Sequence, residues 1–261
     1  MNNQYTQATI CDILGVKFDL ISYNSVLETI ESWLERNESH YITLTNPYCV
    51  TLCRKDPEMQ KAVKMAQLTL PDGIGIVLAA RMLGYGSSHC HRVIGPLLML
   101  KLCDLGRRYG YRHYFYGGTD RVAKQLAERL SKIYPGLEIA GTYCPPFRRL
   151  LAVEDKHIVE KINSTKPDIV WVGLGAPKQE IWMSEHIGRI TATAMIGVGA
   201  AFDYHSGNAR WAPSWVRDYG LEWLHGVIYR PRRSVIKLWG SFLFAAKVSS
   251  FCIKQKSNDW R

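Results

Sequence analysis

A few residues in this 261-residue chain have the type and setting for chemistry. Asp72 stands between Pro71 and Gly73, after the apolar Leu68 and Leu70. A carboxylate on so rigid a turn can take a proton from an attacking hydroxyl, and it can equally satisfy the amides of its own turn. Asp203 follows the stretch Gly197-Val198-Gly199-Ala200-Ala201-Phe202 and can orient a ligand hydroxyl or cap a helix. Asn46, in Thr45-Asn46-Pro47, offers a donor and an acceptor to a hydroxyl or a base edge, or closes its own turn.

Other groups suit phosphate. Gly117-Gly118-Thr119 follows an aromatic run, and Gly118 allows close backbone approach, yet the full GxGxxG pattern is absent and a dinucleotide reading is weak. Gly173-Leu174-Gly175-Ala176-Pro177-Lys178-Gln179-Glu180 is richer. Lys178 brings charge and Gln179 brings both hydrogen-bonding senses, so a sugar-nucleotide contact is favoured over helix capping alone. Arg92 and the tail residues Arg210, Arg217, Arg230, Arg232 and Arg233 can grip phosphate oxygens at two points; a solvated basic face is the plain alternative. No HxxxH, HExxH, DxD or CxxC spacing occurs, so no metal site and no cofactor are expected.

Positioning these groups calls for alternating strands and helices. Ile13 to Ile21 reads as strand or hairpin, and Val26, Leu27, Ile30, Trp33 and Leu34 recur at helical spacing after the capping residues Ser22 or Asn24. Tyr41 to Leu44 is a strand. Two or three helical segments are expected from Tyr48 to Tyr109, broken at Pro71 to Gly75 and near Gly95-Pro96. From His113 onward, strands at Tyr114 to Tyr116, Leu137 to Gly141, Ile169 to Val172 and Ala194 to Val198 alternate with helices. The expected fold is α/β, with a Rossmann-like, largely parallel sheet flanked by helices and a basic helical C-terminal appendage. In such a sheet the loops after the strands meet on one side, where helix starts leave amides unpaired.

Composition narrows the class. With 47% hydrophobic and 21% charged residues, neither a disordered chain nor a polytopic membrane protein is expected. The net charge of +10 could draw nucleic acid, anionic lipid or phosphorylated small molecules, and its distribution separates them. Residues 201–261 hold ten Lys/Arg against four Asp/Glu and five of the eight tryptophans. Charge and interfacial aromatics thus coincide at the C-terminus, which suits a membrane surface. The division expected is a core of residues 1–200 and an appendage of residues 201–261. Ser234 to Ile253 is apolar but broken by Lys237 and Lys247, a poor spanning segment that can rest at an interface. Seven cysteines without pairing motifs, and no secretory leader in Met1 to Thr9, point to a reducing cytoplasm.

Taken in order, Thr45-Asn46-Pro47, Pro71-Asp72-Gly73-Ile74-Gly75, Arg92-Val93-Ile94-Gly95, Gly173 through Glu180, Gly197 through Asp203, Arg210-Trp211-Ala212-Pro213-Ser214-Trp215 and Gly220-Leu221-Glu222-Trp223 resemble the WecG/TagA/CpsF family of bacterial cell-envelope glycosyltransferases, the GT-E fold group. The resemblance runs through nearly all of the chain. It implies transfer of a sugar, with inversion, from a UDP-sugar to a polyprenyl-diphosphate-linked saccharide. N-acetylmannosamine is the first sugar expected, ahead of glucose and N-acetylmannosaminuronic acid. By the same resemblance Asp72 matches the catalytic base, Asn46 the pocket asparagine and Gln179 a glutamine near the donor. Arg210, Arg217, Arg230 and Arg232 match an appendage that approaches the membrane and helps bind diphosphate. Two positions depart from the pattern. Its first threonine falls at Leu44, flanked by Thr43 and Thr45, and the acidic residue expected soon after RVxG is absent from Gly95-Pro96-Leu97-Leu98. The implied enzyme works in the cytoplasm at the inner face of the membrane, binds no nucleic acid, and is compatible with a homo-oligomer. The competing readings are a noncatalytic basic module for nucleic acid or anionic lipid and, lower, an oxidoreductase.

Overall fold

The computed structural model describes residues 9–86, 90–229 and 231–258, with side chains described for all of these except 231–233 and 254–258. A hairpin comes first, β1 (Thr9–Ile13) and β2 (Val16–Leu20), paired antiparallel. Its turn residues Leu14 and Gly15 both have positive φ, the two-residue geometry whose twist matches that of the strands, and Asp12 Oδ1 accepts from Gly15 N at 2.8 Å. Helix α1 (Tyr23–Arg36) starts at Ser22, whose hydroxyl accepts from Ser25 N.

The main sheet is built from β3 (His40–Thr45), β4 (Leu68–Pro71), β5 (Arg112–Gly117), β6 (Glu138–Tyr143), β7 (Ile169–Gly173) and β8 (Ala194–Gly197). Their order is β4-β3-β8-β7-β5-β6 and every pairing is parallel. Between strands run α2 (Pro47–Cys53), α3 (Pro57–Met65), α4 (Ile74–Met82), α5 (Gly95–Tyr109), α6 (Val122–Ile133), α7 (Ala152–Ser164) and α8 (Lys178–His186). After the sheet come α9 (Ala201–Ser206), α10 (Ser214–Asp218), α11 (Glu222–Tyr229) and α12 (Pro231–Asn258).

Strand alternation explains the layering. Ile42, Leu44, Phe115, Trp171 and Ile196 face one side, under α1, α5, α6 and α9; Tyr41, Tyr114, Tyr116, Val170, Val172 and Met195 face the other, under α7 and α8. Both faces are buried, as a parallel sheet requires. Ala201 and Phe202 of α9 belong to the first of these clusters, so the main core continues past residue 200. A third cluster joins the hairpin to α2, α3, α4 and two residues of α12, Phe244 and Val248.

The stretch from Tyr48 to Tyr109 differs from the sequence reading. It holds four helices, not two or three, and the edge strand β4. Leu68 to Pro71 is four residues long and buried throughout, so it shows no alternation and ends in a proline, which at the tip of a strand leaves no ladder donor missing.

Helix α12 also departs from expectation. Ser234–Ile253 has the length and composition of a membrane-crossing helix, with a mean hydropathy of 1.3 despite Lys237 and Lys247, and 17% of its apolar window is buried. Gly240 lets it approach α2 closely: a Cβ there would lie 2.6 Å from Tyr48 Cδ2. Phe244 and Val248, each 3% exposed, anchor the next two turns.

Candidate active site

All six strands of the main sheet end on one edge, and that edge collects the chemistry. β4 stops at Pro71, and Asp72 N donates to Thr45 O of β3 at 3.0 Å. Gly73, at φ +98°, turns the chain into α4; Gly75 in the first turn lies so near Pro47 that a Cβ would sit 2.8 Å from its Cγ. The start of α4 is thereby wedged against the start of α2. Asn46 caps α2, its Oδ1 accepting from Cys49 N at 3.1 Å, and its side chain also hydrogen-bonds the Asp72 carboxylate. Of the two readings of Asn46, the turn closure is present, and the same side chain also reaches Asp72.

Burial pushes the Asp72 carboxyl up to about 6. Arg92 and Lys237 pull it down, Glu222 pushes it up, and the Asn46 hydrogen bond pulls it down. Asp72 therefore titrates near neutrality and can accept a proton there.

Across the edge, Gln179 is 5% exposed and held at both ends of its amide: Oε1 accepts from Gly175 N at 3.2 Å and Nε2 donates to Glu180 Oε1 at 2.8 Å. Gly197 makes room for it, since a Cβ there would meet Gln179 Nε2 at 3.1 Å. Glu180 is fully buried, burial pushes it up to about 7, and its Oε2 has no hydrogen-bond partner among the described residues. Gly117 packs on Gly173, where a Cβ would come 2.6 Å from the Gly173 carbonyl carbon. Lys178 is exposed, with Nζ 4.0 Å from the centre of the Phe147 ring.

These loops open on one cavity of about 1570 Å³ whose lining includes Asn46, Asp72, Gly118, Lys178, Gln179 and Asp203. The fold thus brings six of the sequence-predicted residues together. Five others sit apart from that lining. Thr43 and Thr45 are fully buried in a hydroxyl chain, Thr45 Oγ1 to Thr43 Oγ1 at 3.4 Å and Thr43 Oγ1 to Thr69 Oγ1 at 3.1 Å; they face away while Leu44, one residue out of phase, lines the cavity. Neither threonine replaces a hydroxyl at position 44. Arg217 lies 3.7 Å over the Trp211 ring with its Nε buried and without a hydrogen-bond partner among the described residues, and Arg210 lies 5.8 Å from the Tyr229 ring centre. Arg92 gives both guanidinium nitrogens to the carboxylate of Glu222, so it meets the site through an ion pair. Arg230 and the side chains of Arg232 and Arg233 lie outside the described residues.

The sequence pattern gives no site role to three charged residues of the lining, Arg148, Glu222 and Lys237, of which Arg148 is paired with Glu154. Glu222 and Lys237 line the cavity, and Lys237 lies near enough to Asp72 and Glu180 to lower the pKa of each. Glu222 stood inside a quoted motif without a role, and Lys237 read only as an interruption of an apolar segment. Among the described residues there is no cluster of three or more His, Cys, Asp or Glu side chains able to hold a metal ion.

A parallel α/β sheet with a titratable carboxylate and glycine-bounded loops on its C-terminal edge suits an enzyme that binds its ligand where the strands end. The profile of the glycosyl transferase WecG/TagA/CpsF family matches residues 11–258, and the chain belongs to that family; it is a hexosyl-transferring glycosyltransferase. It is similar to the N-acetylglucosaminyldiphosphoundecaprenol N-acetyl-beta-D-mannosaminyltransferases of three bacteria. The Bacillus spizizenii protein is 31% identical over 218 residues, covering 84% of this chain and 81% of that one. The Bacillus subtilis protein is 29% identical over 251 residues, covering 96% and 92%. The Staphylococcus aureus protein is 27% identical over 216 residues, covering 82% of each.

Proposed function

We propose that the enzyme transfers N-acetylmannosamine from its UDP derivative to a polyprenyl-diphosphate-linked N-acetylglucosamine, inverting the anomeric carbon, in the synthesis of a cell-envelope polysaccharide. The observation that carries this reading is Asp72, a carboxyl held near 6 on the wall of a cavity large enough for two substrates. The names of the relatives supply the sugar and the acceptor.

In this mechanism the acceptor hydroxyl approaches Asp72, which takes its proton as the oxygen attacks the anomeric carbon. The bond to the UDP oxygen breaks on the opposite face, and the developing charge on the diphosphate is met by loop amides and by Lys178. No covalent enzyme intermediate is needed. Gln179, fixed at both ends of its amide, presents a rigid surface to the donor. With Lys178 and the loop amides compensating the leaving group, no divalent ion is required.

The enzyme works at the cytoplasmic face of the membrane. Trp223, Ile228, Trp239 and Phe242 expose between 51% and 66% of their surfaces on α11 and α12, and +6 of the net charge falls in residues 201–261. The test is a panel of UDP-sugars incubated with a polyprenyl-diphosphate N-acetylglucosamine in the presence of EDTA, followed by mass and linkage analysis. The expected product carries one added N-acetylmannosamine in the β configuration. Transfer of a different sugar, retention of configuration, or activity only after a divalent ion is restored would each overturn the corresponding part.

A further inference from the structure

The cavity is larger than one nucleotide sugar needs and is lined unevenly. Sites that enclose a small ligand hold roughly 300–1,000 Å³, against about 1570 Å³ here. Asn46, Asp72, Gln179 and Asp203 lie at the sheet edge, while another part of the wall is formed by two helices. α4 contributes Ile74, Leu78 and Met82, spaced four residues apart and so on a single stripe. α12 contributes Leu238, Phe242 and Ala245, again one stripe.

The two helices run side by side in the same direction. Lys237 lies near Asp72, where α4 begins, and Cys252 Sγ is 4.0 Å from Met82 O, where α4 ends. Phe244 and Val248 pin α12 in place, but Leu78, Met82 and Phe242 remain 49%, 52% and 64% exposed. These are large apolar side chains on a cavity wall with little protein cover. The polar end of the same wall carries Lys237, which forms no ion pair with a carboxylate among the described residues.

A ligand that fits both ends has an anionic head and a long chain without hydrogen-bonding groups. We propose that the groove between α4 and α12 binds the isoprenoid chain of the acceptor, with the acceptor diphosphate against Lys237. This rests on the acceptor reading above and adds a site for the lipid itself. α4 is about 13 Å long, enough for the first few isoprene units, and the remainder of the chain leaves past Met82. A peptide or a second copy of this chain fits less well, since the helical walls offer few partners for backbone amides and carbonyls.

The test uses the full-length protein in detergent with an isoprenoid diphosphate carrying a photoactivatable diazirine on its third isoprene unit. Irradiation and peptide mapping should place the label on α4 near Leu78 and Met82 and on α12 between Leu238 and Ala245. Excess unlabelled isoprenoid diphosphate should compete it away, and the double variant Leu78→Ser, Met82→Ser should reduce labelling about tenfold. The same variant should cut the preference for a long-chain over a short-alkyl acceptor by about tenfold in the transfer assay. Label confined to the outward face around Ile236, label at a contact between two copies, or an unchanged chain-length preference would overturn the groove. Labelling is read without turnover, so a labelled groove in a protein that transfers no sugar would refute the acceptor reading and leave the lipid site standing.

Discussion

Replacing Asp72 with Asn should make the protein more stable and far less active. An aspartate carboxyl ordinarily titrates near 3.8, and burial holds this one at about 6. At 1.36 kcal/mol for each pH unit, carrying the charge in the fold costs about 3 kcal/mol relative to the unfolded chain. The sign follows from the order of the two values. The folded value lies above the unfolded one, so as pH rises from about 4 to about 6 the unfolded chain sheds its proton first and stability falls, then stays at the lower level. An amide carries no charge at any of these pH values and still offers an oxygen to the Asn46 side chain. The variant should therefore gain up to about 3 kcal/mol near neutral pH, with the advantage closing near pH 4. Transfer at saturating substrate should fall by roughly 10² to 10⁴. Urea unfolding of both proteins across this range, beside turnover, is the assay. A stability difference that does not change with pH would refute the burial argument, and near-normal turnover in the folded variant would refute the base assignment.

Glu222→Gln removes the partner of Arg92 and a negative neighbour of Asp72, so the acidic limb of kcat/KM against pH should move to lower pH; an unmoved limb would separate Asp72 from the titrating group. Gly240→Leu puts atoms where Tyr48 and Thr51 stand and should lift α12 from α2, reducing transfer at least tenfold while far-ultraviolet dichroism stays native; full activity would mean that Lys237 and the α12 wall are dispensable. On the opposite face of the sheet, burial raises the Asp155 carboxyl, but hydrogen bonds from Arg189 at 2.6 Å and His186 at 2.8 Å outweigh it and hold it below its ordinary value. That stabilisation is present above the ordinary aspartate pKa and is lost as pH falls through the folded value, so Asp155→Asn should destabilise at neutral pH and match the parent in strong acid, as read from thermal melts.

The edge that gathers the candidate residues is legible in the sequence because those residues sit in local motifs. Pro71-Asp72-Gly73 fixes a turn by backbone restriction alone, and the glycine-rich stretches mark close approaches that the fold makes between Gly117 and Gly173 and between Gly197 and Gln179. What escaped depends on partners distant in the chain. Arg92 looks like a phosphate ligand until Glu222, 130 residues away, takes its guanidinium. Thr43 and Thr45 look like substitutes for the hydroxyl missing at position 44 until the pleat turns both away and leaves Leu44 facing the cavity. The tail was read as one apolar segment interrupted by two lysines, because a helix apolar on more than one side shows no single stripe to the eye. In the fold those sides separate. One carries Lys237, Gly240, Phe244 and Val248 against the core and the cavity, and the other presents Ile236 outward. Lys237 thus falls on the inward side, where it tunes Asp72, and a residue that seemed to spoil a membrane segment becomes the charged end of a substrate wall.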